Sequence, residues 1–235
     1  MRRITSCELL DEDSVSAADV EAALRDIWRI NQRFGGVSGC LRLLDHFLAR
    51  SGLRRFRALD VGAGDGRLAA CLQDELADRG LETTFWALDR RLSHLNCSRS
   101  SHDPLNRVAA NALELPFPSA SFELVMCNLF VHHFSGTSLR YLLAEMVRVA
   151  SQGVCVNDLE RRWLPYLFIR YAPFATRNPI ARRDGVASVR QAYTRPELAA
   201  VASTCGAASV DVMSLPFFRL GLMLWKEPSP AGSSV

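Results

Sequence analysis

Val20, Ala23, Leu24, Ile27, Trp28 and Ile30 recur at the three- and four-residue spacing of one helix face. They predict a helix that begins after Ser16, carries Asp19 and Glu21 in its first turn and runs to about Arg33. Gly35-Gly36 breaks it, and Leu41, Leu43, Leu44, Phe47 and Leu48 mark a second helix. The pattern then changes. Short apolar runs at 58–61, 83–88, 107–110, 122–127 and 153–156 read as strands, and the segments 67–79 and 137–150 between them keep a helical period. In the first of these helices Leu68, Cys71, Leu72 and Leu76 are expected to face inward. Strands alternating with helices predict a parallel, doubly wound α/β sheet. At the end, 208–212 and 217–225 read as neighbouring strands joined through Pro216, a hairpin with one strand antiparallel to the rest. Thr194 and Glu197 have the spacing of a capping box.

With 235 residues and 49% apolar side chains, the chain suits one domain, too short for a dinucleotide-binding domain plus a full second one. A net charge of +3 is too balanced to imply nucleic-acid binding. No apolar run reaches the roughly 18–20 residues of a membrane span, and no signal-like segment follows Met1, so a cytoplasmic protein is expected. The seven cysteines, including Cys7, form no C-x-x-C pair and are expected to be reduced thiols without zinc. Charge is nonetheless uneven. Residues 8–21 carry six acids, Glu12 and Asp13 among them, and no base, whereas 161–190 carry seven arginines and one acid, Asp184. The Pro/Ser-rich tail at 228–235 is expected to be disordered.

The segment Asp60-Val61-Gly62-Ala63-Gly64-Asp65-Gly66 is the most informative. Its glycines allow a sharp turn off the strand and close approach of a nucleotide-like ligand at the carboxyl edge of the sheet. Arg67 stands where the dinucleotide fingerprint needs glycine, and no lysine completes a phosphate loop. Asp89 ends the next strand, where a carboxylate can accept from both ribose hydroxyls of an adenosine. Asn111-Ala112 follows the third strand, at a place that suits an adenine edge, and Asn128-Leu129 ends the fourth.

In these motifs the chain resembles the class I S-adenosylmethionine-dependent methyltransferases, over about residues 55–160. It is similar to the ubiquinone/menaquinone-biosynthesis branch and, around Arg183-Asp184-Gly185, to small methyltransferases of bacterial polyketide and phenolic-lipid pathways. The resemblance implies a Rossmann-like doubly wound seven-stranded sheet with a C-terminal antiparallel hairpin and an N-terminal helical lid (1–52). It also implies S-adenosyl-L-methionine as cofactor. Asp60, Gly62, Ala63 and Gly64 match the motif against the methionine moiety, and Asp89 matches the ribose acid, with Arg90 beside it. Asn111 and Ala112 match the usual Asp-Ala pair at adenine, Asn keeping the hydrogen bond without the charge. Asn128 and Leu129 match the position near the amino-acid end.

Methyl transfer to a hydroxyl needs alignment and removal of one proton, for which histidine is suited. His133 or His132, in Val131-His132-His133-Phe134, is the candidate base; packing against a loop carbonyl is the alternative. No metal is expected, because adjacent histidines rarely face one ion and no carboxylate cluster accompanies them. His46, His94 and His102 are expected at the surface. Asn157-Asp158 either reaches the acceptor or, for Asp158, pairs with Arg161 or Arg162. The insert at 160–193, with Trp163, Leu164, Tyr166, Leu167, Phe168, Ile169, Tyr171 and Phe174, is expected to wall an apolar acceptor pocket. Its arginines (Arg170, Arg177, Arg182, Arg183, Arg190) either solvate the outer face or meet an acidic acceptor or a membrane surface. Arg29, Asn31, Arg33 and Phe34 are placed to fold over the cofactor. These features predict methylation of a small, largely apolar acceptor, at a phenolic or enolic oxygen. Carbon methylation of a quinol or aromatic ring, a non-catalytic cofactor-binding subunit and a nicotinamide oxidoreductase are the rivals.

Overall fold

The computed structural model describes residues 1–6, 8–11, 16–98, 105–171 and 178–226. Cys7, Glu12, Asp13, His102, Phe174, Arg177 and the 228–235 tail therefore lie outside the described residues.

Two helices, α1 (Ala17–Arg33) and α2 (Gly36–Ser51), precede the first strand, β1 (Arg55–Val61). Then follow α3 (Arg67–Asp78), β2 (Glu82–Asp89), α4 (Leu92–Asn96), β3 (Asn106–Ala109), β4 (Phe122–Asn128), α5 (Thr137–Val149) and β5 (Ala150–Leu159). Helices α6 (Trp163–Tyr171), α7 (Pro179–Gln191) and α8 (Arg195–Ala202) lead to β6 (Ser209–Leu215) and β7 (Arg219–Trp225). The Ser16 side chain caps α1, accepting from the Asp19 amide, and Thr194 and Glu197 form the expected capping box of α8. Two strands are longer than their apolar cores suggest. β1 begins at Arg55 because Arg55 and Arg57 point outward on either side of buried Phe56, and β5 extends from Ala150 to Leu159. Cys71 is half-buried beside the buried Leu68, Leu72 and Leu76.

The strand order is β3-β2-β1-β4-β5-β7-β6, with β7 antiparallel to both its neighbours. The reversed strand is thus the one expected. Each face has its own core. Leu139, Leu142, Leu143 and Met146 of α5 pack on Val154, Val156 and Leu222 on one side. Leu43, Leu44 and Phe47 of α2 pack with Leu72, Leu76, Phe85 and Met126 on the other. A third, smaller cluster joins Leu10, Val20, Ala23 and Ala181, so the N-terminal segment, α1 and α7 form a cap.

The cap is bound to the sheet by polar groups. Arg219, at the start of β7, donates through Nε to the Phe34 carbonyl (2.8 Å), through Nη1 to Asn128 Oδ1 (3.2 Å) and through Nη2 to Asn31 Oδ1 (3.2 Å). Asn157 Nδ2 donates to the Gly35 and Gly36 carbonyls at 3.1 and 3.0 Å and to Asn128 Oδ1 at 3.0 Å. Arg219, Asn31, Asn128 and Asn157 are all buried. A Cβ on Gly39 would lie 2.8 Å from Asn157 Nδ2, so α2 needs glycine there to reach the sheet edge. All six described cysteines are unpaired thiols, and no helix among the described residues is long and apolar enough to cross a membrane.

Arg219→Met keeps the bulk but strips donors from three buried acceptors, and urea unfolding should show a loss of about 2–4 kcal/mol. Arg219→Lys should recover little of it, since one ammonium cannot span acceptors on separate elements as the guanidinium fork does.

Candidate active site

β1 ends at Val61 and the chain reverses through Gly62, Gly64 and Gly66, with φ of +74°, +58° and +80°. A Cβ on Gly62 would come within 2.3 Å of the Phe130 ring, so the turn can pass under that ring only as glycine. The amides of Gly62 and Ala63 donate to the Leu88 carbonyl at 2.8 and 2.9 Å, tying the turn to β2. Gly64 N donates to Asp89 Oδ2 and Arg91 N to Asp89 Oδ1, both at 2.9 Å. Each carboxylate oxygen keeps accepting capacity after these bonds. His94 is a correction to the sequence expectation. It is buried, with Nδ1 3.6 Å from Asp89 Oδ1, because α4 folds back onto the end of β2.

Asp60 lies beneath the turn, 2% exposed, and its carboxyl is pushed up to about 8 by burial and by the charge of Asp89. A cation in front of it would reverse that shift. Asp60, Gly62, Ala63, Gly64, Asp89, Arg90, Asn111, Ala112, Asn128 and Leu129 all line one cavity of about 1310 Å³, as do His132 and His133. Asn111 is partly committed, its Oδ1 accepting from Leu113 N at 3.0 Å. The other wall is apolar, with Ile27, Trp28, Phe34, Phe130, Leu164, Phe168 and Ile169. Of the residues expected to fold over the site, Asn31 and Phe34 line the cavity; Arg29 and Arg33 do not. Trp163, Leu167 and Tyr171 of the insert point away from it and are exposed.

A one-turn 3₁₀ helix, Val131–His133, buries His132 and leaves His133 partly exposed. His132 Nδ1 lies 2.7 Å from Asp158 Oδ1, and its backbone amide donates to Asp158 Oδ2 at 3.1 Å. On the other side, Glu8 Oε1 is 3.4 Å from His132 Nε2 and Glu8 Oε2 is 3.8 Å from His133 Nε2. Ser188 Oγ and Gln191 Nε2 donate to Glu8 Oε1 at 2.7 and 3.1 Å and fix its orientation. Burial alone would lower the His132 pKa, but Asp158 and Glu8 overcome it and raise it to about 10. Both carboxylates are held below their ordinary range by the same contacts, Asp158 by His132 and Glu8 chiefly by His132 with help from His133. His132 is therefore an imidazolium at neutral pH, with no lone pair for an incoming proton.

Asp158 pairs with His132, not with the arginines. Arg161 bonds Glu197 Oε1 (2.6 Å) and Arg162 bonds Glu160 Oε2 (2.8 Å) instead. Neither Asn157 nor Asp158 lines the cavity. Glu8 is a cavity-lining acid that the sequence leaves unmarked: ligand atoms of Glu8, His132 and His133 lie within 4.8 Å of one another. Its only local signal is the apolar Leu9-Leu10 beside it, which buries the segment. Leu9 N and Leu10 N donate to the buried carboxylate of Asp184 at 2.9 and 3.1 Å.

Residues 59–156 match the family described as methyltransferase domain. The fold is that of a methyltransferase. Among solved methyltransferase structures, this chain is similar to an S-adenosylmethionine-dependent methyltransferase from Aquifex aeolicus, with a TM-score of 0.62 and 16% identity over 90% of this chain and 98% of that one. It is also similar to the plantazolicin methyltransferase BamL, in complex with a triazolic desmethylPZN analog and SAH (TM-score 0.66, 11% identity, 90% and 97% of the two chains). Human N-acetylserotonin methyltransferase, in complex with SAM, gives a TM-score of 0.54 at 14% identity. There the alignment covers 73% of this chain but only 48% of the human methyltransferase, about half its length. A comparison with curated proteins finds no match.

The His132 shift has a definite pH consequence. Its folded-state pKa lies above the ordinary value of 6.5, so its stabilisation is complete below that value and is lost as pH rises toward about 10. Thermal unfolding between pH 6.5 and 10 should show a falling midpoint, and His132→Gln should flatten the slope. At neutral pH the same variant should be less stable by about 3–5 kcal/mol, because two buried carboxylates lose their common cation.

Proposed function

We propose that the protein transfers a methyl group from S-adenosylmethionine to a small, largely apolar acceptor, at a phenolic or enolic oxygen. The observation that supports this reading is one cavity with two unlike halves. A glycine turn locked to a carboxylate forms one half, and aromatic walls beside two histidines form the other.

The groups present fit the cofactor. Asp89 would take the ribose hydroxyls, and the Gly62–Gly64 backbone with Asn128 and Leu129 would hold the methionine portion. Asp60, buried and pushed toward its neutral form, would accept the positive amino-acid end and ionise against it. Asn111 and Ala112 would meet the adenine, and Arg90 stands beside the ribose acid. When bound, S-adenosylmethionine supplies a methyl group activated by its sulfonium charge.

The chain's own work is to orient the acceptor, exclude water and move one proton. Trp28, Phe34, Phe130 and Phe168 provide flat apolar contact for a ring. His133 takes the proton from the acceptor hydroxyl, and Glu8, held by Ser188 and Gln191, stabilises the resulting imidazolium. His132 and Asp158 hold Glu8 and the histidine turn in place from behind. Residues 1–52 act as the lid and the 160–193 insert as the acceptor wall of a single methyltransferase domain.

Calorimetric titration with S-adenosylmethionine and S-adenosylhomocysteine, with NADH as control, tests the cofactor. Binding of the sulfur compounds alone is the expected result; preference for NADH, or no binding to any, overturns the reading. Asp89→Ala should weaken that binding roughly 10- to 100-fold through loss of charge-assisted hydrogen bonds. His133→Ala should lower kcat on a phenolic acceptor by about 10²–10⁴-fold while leaving cofactor affinity within two-fold, an effect of about the usual size for a lost general base. Mass and NMR analysis of the product separates oxygen from carbon methylation.

A further inference from the structure

Among the described residues eleven large apolar side chains are exposed, and seven of them lie on α6 and the β6–β7 turn, so the surface apolarity is concentrated in one region. Trp163, Leu167 and Tyr171 are 60%, 43% and 66% exposed and stand four residues apart, on one face of α6. None of them lines the cavity; that is done by Leu164, Pro165, Phe168 and Ile169, of which Leu164 and Phe168 also reach solvent. A helix that only covered a pocket would need a single apolar stripe, and the apolar arc of α6 runs on past the cavity to Trp163, Leu167 and Tyr171.

The neighbouring turn adds a second apolar element. Phe217 and Phe218 have φ of +60° and +56°, a left-handed conformation disfavoured for aromatic residues. That backbone holds both rings at the surface, 53% and 38% exposed. Phe34 bridges the two elements, its ring 5.5 Å from Phe168 and 5.9 Å from Phe217. Because Phe168, Phe217 and Phe218 both line the cavity and reach solvent, they mark its mouth.

Charge identifies the occupant. Arg170 is exposed on the outer face of α6, its guanidinium 5.9 and 5.6 Å from the Tyr166 and Tyr171 ring centroids. Arg182 and Arg183 on α7 are exposed as well, and the lone acid of 161–190, Asp184, is buried under the N-terminal segment. Trp, Tyr and Leu outward with arginines among them is the composition of a helix lying at a lipid–water boundary, where aromatic rings sit at headgroup level and arginines meet anionic lipids.

We propose that the outer face of α6 and the Phe217-Phe218 turn dock on anionic phospholipid bilayers, placing the cavity mouth at the membrane surface. The docking stands apart from the methyl-transfer reading; entry of an apolar acceptor directly from the lipid rests on it.

Co-sedimentation of the full chain with phosphatidylcholine vesicles, with and without about one-third phosphatidylglycerol, tests this. The protein should bind the anionic vesicles, more weakly the neutral ones, and less at high salt. Leu167→Glu and Trp163→Glu should each lower binding roughly ten-fold or more, and Arg170→Glu should remove the preference for anionic lipid. Since these side chains lie outside the cavity, unchanged S-adenosylmethionine titration certifies the fold of each variant and reports on the cofactor reading separately. Absence of sedimentation with anionic vesicles, or equal binding by Leu167→Glu, overturns the proposal. So does a wild-type dimer that ignores vesicles and that Leu167→Glu dissociates, which would assign the face to a second copy of the chain.

Discussion

The burial of Arg219 constrains the rest of the molecule. A fully buried guanidinium is costly unless its charge and donors are answered, and among the described residues no carboxylate forms an ion pair with it. Three oxygens answer it instead, from Phe34, Asn31 and Asn128, and burial draws its pKa down to about 10. Those oxygens belong to the end of α1, the turn after it and the tip of β4. The arginine can therefore be satisfied only when helices, central strand and hairpin are assembled together. Asn157 extends the same network to the carbonyls that begin α2. Cavity shape follows from this closure, since Asn31, Phe34, Asn128 and Arg219 are themselves walls.

The two halves of the cavity solve their electrostatics differently. Under the glycine turn, burial and the nearby charge of Asp89 hold the Asp60 carboxyl back from ionisation. At the other end, Glu8 and Asp158 share the imidazolium of His132, and the set is balanced within the fold. One half thus holds an acid short of ionisation, whereas the other balances its acids with an internal imidazolium. An ionised acid and a strained aromatic turn each gain meaning only beside what they face.

Much of this was legible from local spacing. The helix after Ser16, the capping box at Thr194 and the hairpin with its reversed strand follow from patterns a few residues long, and the ten residues that line the glycine-turn side from the family resemblance those patterns carry. What escaped is pairing over distance. Glu8 meets His132 from 124 positions away, and no periodicity encodes that encounter. Asp158 has arginines close in sequence, yet the strand pleat turns it toward the histidine and leaves them to other acids. His94 reads as a lone polar residue, and only the return of α4 to β2 buries it. Strand ends were also hidden, because Arg55 and Arg57 are polar and exposed at the start of a central strand.

The Arg219 contacts also order events in time. A ribosome releases α1 and α2 well before β7, with most of the sheet between them. Until residue 219 has emerged, the Phe34 carbonyl and the Asn31 amide have no guanidinium to receive, and the opening helices have only their partial apolar contacts with the nascent strands. Contacts joining such distant parts of the chain pay their loop-closure cost before they return anything. Helices α1 and α2 are thus locked only after β7 has followed them. During that interval their apolar faces remain open to whatever a chaperone, or a neighbouring nascent chain, offers.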